Sequence, residues 1–513
     1  MGGPMLGKIL SAGVFGIDGY PVEVEFDVRS GLPAVVVVGL PDAAVKESKD
    51  RVATALKNSG YTWPDGRITI NLAPADTKKE GPAFDLPLAL GALSATGQML
   101  SDKLKNYAAV GELALDGSVR SVKGALSMAM TARAEKLRGL ILPEANAREA
   151  AVVSSLEVVP VRALAQAVGF LTGELAIEPC AVDLESVFNE ARHDDVDFSD
   201  VRGQEHAKRA LTVAAAGGHN VLMIGPPGSG KTMLARRLPT ILPMLGIEES
   251  LETTRIYSSL GLLPPGESVI AVRPFRSPHH TTSEAGLVGG GTVPAPGEVS
   301  LAHHGVLFLD ELPEFNRHTL EVLRQPLEDG VVTISRAAAS LTFPARIMLV
   351  AALNPCPCGY LTDPKRECHC TPRQITAYMG KISGPLLDRI DIHLDVPAVP
   401  YRELRGKTEG TSSAGMREQV LAARERQAER FGSRRMTNAH MSHRQVKKHC
   451  ALDDAGESLL KQAMQEMGLS ARAHDKILRS ARTIADFEGA ASVTATHLAE
   501  AVQYRRLDRN LFA

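Results

Sequence analysis

The residues best suited to chemistry in this chain form one short run, Gly225-Pro226-Pro227-Gly228-Ser229-Gly230-Lys231-Thr232. Its G-x-x-x-x-G-K-[ST] spacing is that of a phosphate-binding loop. Glycines let the backbone curl around a phosphate with successive N–H groups pointing inward, at the start of a helix. Lys231 then reaches the β- and γ-phosphates of a nucleoside triphosphate such as ATP, and the Thr232 hydroxyl gives an oxygen to Mg²⁺. A second run, Gly305-Val306-Leu307-Phe308-Leu309, closes on Asp310 and Glu311. Asp310 is suited to the Mg²⁺ shell and Glu311 to polarising an attacking water. The alternative is that both carboxylates only cap a helix beginning near Pro313. A third run, Ile347-Met348-Leu349-Val350-Ala351-Ala352-Leu353, ends at Asn354, a neutral side chain able to orient water or the γ-phosphate.

These residues need elements that hold them at one edge. Asn220-Val221-Leu222-Met223-Ile224 is an apolar strand pattern before the loop, and Met233, Leu234 and Leu238 follow it at helical spacing. Three apolar strands, each ending in a polar residue, fit a parallel α/β sheet with its ligand at the carboxyl edge. Between Thr232 and Asp310 there is more chain than one helix and one strand require. The Gly- and Pro-rich stretch Gly286–Gly297 is expected to be an inserted loop or hairpin.

Residues 1–175 read as a separate α/β domain, with strand patterns at Val22–Val28, Ala34–Val38 and Ile68–Leu72. Helical patterns at Lys46–Asn58, Leu86–Ala95 and Ala125–Lys136 are mixed with them. The polar, acidic stretch 176–200 reads as a linker, and 201–400 as the nucleotide domain with its inserts. From 401 to 513 the pattern is helical, at Met416–Phe431, Arg444–Lys448, Glu457–Met467, Ala471–Phe487 and Ala495–Tyr504, with an excess of Lys and Arg. The whole is a multidomain α/β chain with a helical end.

Composition narrows the classes. A length of 513 residues allows two to four domains, and a net charge of −2 with one Trp is that of an ordinary soluble chain. No stretch reaches the length of a membrane span, and the N-terminus lacks a basic region followed by an apolar core, so neither a membrane nor a secretory route is expected. Six cysteines are too few for a disulfide framework in a chain this long, which fits a cytoplasmic protein.

The sequence resembles the AAA+ superfamily, in the branch of the magnesium-chelatase ATPase subunits and the MCM replicative helicases. Within it the chain closely resembles the ComM/YifB family of magnesium-chelatase-like proteins. The motifs are Val201-Arg202-Gly203-Gln204, Phe275-Arg276-Ser277-Pro278-His279-His280, Pro296-Gly297-Glu298-Val299-Ser300-Leu301-Ala302, Leu386-Leu387-Asp388-Arg389-Ile390-Asp391 and Leu469-Ser470-Ala471-Arg472-Ala473. The resemblance implies an AAA+ phosphate-loop core with a C-terminal helical lid. It also implies a homo-oligomeric ring, commonly a hexamer, with ATP between subunits. Arg389 then looks like the finger reaching a neighbour's γ-phosphate, and Arg472 like the sensor on the lid. Sequence alone reads Arg389 as half of a surface pair with Asp388.

The N-terminal domain resembles the Lon-protease-like domain, a ribosomal-protein-like α/β fold. Where Lon's serine and lysine fall, this chain holds Ala83 and Leu126, so a peptidase dyad is not expected. The implied function is an ATP-dependent DNA motor, a branch migration helicase of homologous recombination and natural transformation acting on branched or duplex DNA. The motor subunit of a magnesium chelatase and a protein-unfolding ATPase are the alternatives.

Two further clusters remain. Cys356, Cys358, Cys368 and Cys370 form two C-x-C pairs nine residues apart, able to hold Zn²⁺ or to pack as four reduced thiols. The run Gly330–Arg336 with Leu341–Phe343 reads as a hairpin, which in the related helicases lines the pore. Arg336 on that hairpin, Arg276 beside the insert, and Lys447 and Lys448 on the basic helical end, with Arg505, Arg506 and Arg509, are candidate DNA-phosphate contacts.

Overall fold

The structure is a computed structural model describing residues 5–191, 196–291, 293–336, 339–361, 363, 366–399 and 410–505. Two compact units result, Met1–Ala191 with Ile247–Ala271, and Arg192–Gly246 with Val272–Ala513.

The first unit is built on a seven-stranded mixed sheet. Its strands run Ala34–Val38, Arg67–Ala73, Asp18–Arg29, Met5–Phe15, Tyr107–Ala109, Gly139–Pro143 and Glu157–Val161 across the sheet. Met5–Phe15 and Asp18–Arg29 pair antiparallel through a two-residue turn in which Gly16 takes φ 68°. Val22, Val24, Phe26 and Val28 alternate inward along the second of these strands, which fixes its register by the face it must bury. Helix Asp85–Ala95 is buried along almost its whole length, and Ala43–Asn58, capped by Asp42 accepting from the Val45 amide at 2.8 Å, is half-buried.

Ala83 and Leu126 are buried members of one apolar cluster in this unit. The two positions that resemble the Lon dyad are therefore part of a hydrocarbon core. Helix Ile247–Leu260 also belongs here, although its residues fall within 201–400. The Gly124 amide donates to Ser258 at 2.9 Å, Arg255 donates to the Ile17 carbonyl at 3.0 Å, and Val269 and Ala271 join the Ala83 cluster. Part of the stretch 176–200 packs into this unit as well. Helix Leu184–Glu190 is capped by Asp183, and Leu184, Val187 and Phe188 pack on that same cluster.

The second unit contains a five-stranded parallel sheet in the order Phe275–Arg276, Val306–Leu309, Met348–Leu353, Val221–Ile224, Ile392–Asp395. Val221–Ile224, Val306–Leu309 and Met348–Leu353 are buried at every position. Strands covered on both faces read as unbroken apolar runs, which is why all three were visible in the sequence. Helix Lys231–Ile241 follows the loop directly. The Gly286–Gly297 stretch carries the end of a short helix, Glu284–Val288, and a small ladder of Gly289–Gly290 against Ala295–Pro296. Val331–Arg336 and Ala339–Pro344 form an antiparallel hairpin. The helical end comprises Ser413–Phe431, His443–His449, Asp454–Met467, Ala471–Phe487 and Ala495–Gln503. No described helix is long and apolar enough to cross a membrane.

Candidate active site

Three adjacent strands end side by side. Ile224 pairs with Leu353, and Leu309 with Ala351, so the loop, Asn354 and Asp310 all emerge at the carboxyl edge. Gly225 has no room for a side chain, because a Cβ there would lie 2.1 Å from the Val396 carbonyl. Gly228 and Gly230 take φ of 77° and 94°, with open space where a Cβ would stand. That combination leaves a concave backbone shell free for a ligand.

Lys231 lies folded into this shell. Its Nζ donates to the carbonyls of Gly225 at 2.6 Å and Pro226 at 3.0 Å and to Asn354 Oδ1 at 3.2 Å. Burial draws its ammonium below the ordinary lysine range, against the opposing pull of Asp310 and Glu311. Thr232 Oγ1 donates to Asp310 Oδ2 at 2.7 Å. A hydroxyl and a carboxylate side by side are hard oxygen donors of the type Mg²⁺ takes. Ser229 Oγ is buried without a hydrogen-bond partner, a polar group left over for a ligand in the loop. The residues present thus fit a magnesium nucleotide.

Glu311 does not spend its carboxylate on a helix cap. It precedes the short turn Leu312–Glu314 without a side-chain cap bond, in the left-handed region at φ 52°. A non-glycine residue held there costs of the order of 1–3 kcal/mol, and such strain gathers at functional positions. The Glu311 Oε2 stands 3.4 Å from His280 Nδ1, a neighbour that spacing alone did not single out. Reading Phe275-Arg276-Ser277-Pro278-His279-His280 as the continuation of the strand beside Val306–Leu309 would have found it.

Arg389 departs from the surface pairing that its sequence neighbour suggested. It is 9% exposed, and its guanidinium meets Glu328 at 2.5 Å and the Pro385 carbonyl at 2.6 Å. Asp388 instead stands 3.9 Å from Arg472. Arg472 is exposed in the first turn of helix Ala471–Phe487, behind a Ser470 cap. A cation in a first helical turn opposes the helix dipole, a local cost that marks the position. The Glu328 carboxyl is held below its usual range first by Arg389, with Arg472 contributing, so both arginines share one neighbourhood.

The four thiols come together, all within 4.8 Å of one another. Cys356 and Cys358 are 3.3 Å apart, and Cys358 and Cys368 are 3.6 Å apart. The Cys358 thiol is drawn down to about 6, first by the Tyr360 backbone amide and then by the other thiols. Their turn touches the phosphate loop, since a Cβ on Gly359 would meet Pro227 at 2.6 Å.

Of the candidate DNA contacts, Arg336 is exposed at the end of the described hairpin strand, and Lys447 and Lys448 are exposed in the last turn of His443–His449. Arg276 is engaged in a two-pronged bond to Glu298 at 2.7 and 2.7 Å, which takes up the fork meant for phosphate. Arg505 is buried and donates to the Ile390 carbonyl, while Arg506 and Arg509 lie outside the described residues.

A phosphate loop at the edge of a five-stranded parallel sheet, with a helical lid behind it, defines a nucleotide-hydrolysing α/β protein of the AAA+ class. Family profiles agree along the chain. The one described as "Magnesium chelatase, subunit ChlI" matches residues 197–404, "Subunit ChlI of Mg-chelatase" matches 24–146, and the ChlI C-terminal profile matches 410–505. The competence protein ComM of Haemophilus influenzae is 45% identical over 512 residues, 99% of this chain and 98% of that protein. The YifB protein of Escherichia coli is 45% identical over 502 residues, 97% of this chain and 96% of its own length. The magnesium-chelatase 38 kDa subunit of Rhodobacter capsulatus is 26% identical over 59% of this chain and 84% of its own. This chain belongs to the ComM/YifB family of magnesium-chelatase-like AAA+ ATPases.

Proposed function

We propose that this protein is a cytoplasmic ATP-driven motor that works as a hexameric ring on branched or duplex DNA. Its task in this reading is branch migration during homologous recombination and natural transformation. The observation that carries the ATPase part is the meeting of Lys231, Thr232, Asp310 and Asn354 at one sheet edge. The DNA part is supported by full-length similarity to a competence protein and by the exposed Arg336 at the end of a hairpin strand.

Each residue then has a task. Backbone amides of Gly225, Gly228, Ser229 and Gly230, with Pro226 and Pro227 shaping the turn, wrap the phosphates, and Lys231 exchanges its carbonyl partners for phosphate oxygens. Thr232 and Asp310 would hold Mg²⁺, which neutralises phosphate charge when bound. Glu311 polarises the attacking water and Asn354 orients it. Arg389 serves as the finger reaching the γ-phosphate of the neighbouring subunit, and Arg472, which approaches Asp388 from the first turn of Ala471–Phe487, as the sensor on the lid. Cys356, Cys358, Cys368 and Cys370 make a thiolate set suited to one tetrahedral Zn²⁺, which would clip the turn lying on the phosphate loop. Ala83 and Leu126 speak against peptidase work.

Similarity to the chelatase subunit favours a second reading, a motor that drives metal insertion into a porphyrin. ATP turnover measured with forked DNA, with a porphyrin and with unfolded protein separates the readings. Stimulation by DNA alone supports the proposal, and stimulation by porphyrin alone replaces it.

A further inference from the structure

The segment carrying Arg389 and the helix carrying Arg472 are joined by a second, buried contact that no nucleotide residue requires. Asp391 Oδ1 and Lys476 Nζ are 2.8 Å apart, and both side chains are nearly excluded from solvent. Lys476 lies one helical turn beyond Arg472, so the two cations share a face of Ala471–Phe487. Asp388 and Asp391 answer them from the Arg389 turn. The second oxygen of Asp391 accepts from the Asn220 amide at 3.1 Å and stands 3.4 Å from His219 Nδ1. Asn220 in turn donates to the Arg389 carbonyl at 3.0 Å and accepts from the Leu349 amide at 2.8 Å.

Asp391 therefore joins the start of the phosphate-loop strand, the Arg389 turn and the lid helix, and Asn220 extends the joint to the start of the Asn354 strand. Burial opposes its charge, yet Lys476 and His219 hold its carboxyl well below the usual range. A buried ion pair adds little to net stability, because desolvation offsets the attraction, but it fixes one geometry. Here the pair ties the helix that carries Arg472 to the turn that carries Arg389.

We propose that Asp391 and Lys476 are positioning residues that lock the lid helix to the Arg389 turn, so that Arg389 is presented to the neighbouring subunit in one fixed place. This rests on the reading of Arg389 as a group acting in trans. Loss of the lock leaves the residues of the subunit's own phosphate loop in place and misplaces the arginine it lends. A displacement of about 1 Å at a catalytic group costs on the order of a hundredfold in rate.

The test uses Asp391→Asn and Lys476→Gln in the full-length chain, with Arg389→Ala as the reference. Each should bind ATP with wild-type affinity and keep its KM, while kcat falls by about ten- to a hundredfold. Each is then mixed with Glu311→Gln, whose own site is inert but whose arginines are intact. Turnover above that of either variant alone is expected for all three mixtures, because the Glu311→Gln subunit supplies a correctly held Arg389. Retained ATP binding shows that the variants are folded. Wild-type kcat in Asp391→Asn, or rescue of Arg389→Ala without rescue of Asp391→Asn and Lys476→Gln, overturns the inference and leaves the trans arginine standing. Absence of rescue for Arg389→Ala removes the trans reading itself.

Discussion

Thr232 Oγ1 and Asp310 Oδ2 meet at 2.7 Å across 78 residues of sequence. Neither strand that delivers them touches the other, since Met348–Leu353 lies between. The contact exists because three parallel strands are in register at their carboxyl ends, and it puts the two magnesium-type oxygens beside Lys231.

That geometry separates binding from hydrolysis. Lys231→Ala should abolish ATP binding or turnover, since its Nζ is the cation within the loop. Glu311→Gln should keep ATP bound and unhydrolysed, because Glu311 acts on water alone. Fluorescent-nucleotide titration with single-turnover hydrolysis checks both, and normal turnover in Lys231→Ala would remove the loop assignment.

The buried Arg389 makes its own test. Arg389→Ala should assemble, bind ATP and lose about a thousandfold or more in hydrolysis. Titrated into wild type, it should reduce activity more steeply than its mole fraction, since each variant subunit silences a neighbour. A strictly proportional decline would argue for action within one subunit.

Arg336 tests the DNA reading. Arg336→Ala should leave basal ATP turnover near normal and reduce DNA stimulation and strand displacement for all sequences alike. The slope of log affinity against log salt should fall by about one unit for each phosphate that is no longer neutralised. Unchanged displacement would return Arg336 to an ordinary solvated surface.

The thiol cluster predicts metal content. Purified protein should carry about one Zn²⁺ per chain by elemental analysis. A chelator, or Cys358→Ala, should lower Tm and raise KM for ATP, because the turn that holds the thiols rests on Pro227. Metal-free protein indifferent to chelator would leave four packed, reduced thiols.

Sequence by itself determined the elements of this protein. The strands Val221–Ile224, Val306–Leu309 and Met348–Leu353 are buried on both faces, so their apolar runs are unbroken. The lid helices Ala471–Phe487 and Ser413–Phe431 begin at Ser470 and Ser412 caps that a reader of the chain can find. The phosphate loop is legible because its chemistry needs consecutive residues. What only the tertiary structure decided are the partnerships between distant polar residues. Arg389 turned from Asp388 to Glu328, Arg276 was claimed by Glu298, and His280 came to Glu311. Helix Ile247–Leu260 joined the first unit although its sequence lies between parts of the second. Burial is periodic along a chain and can be read locally. Ion pairing and docking depend on which surfaces the fold brings within a few ångströms, and no local pattern encodes that.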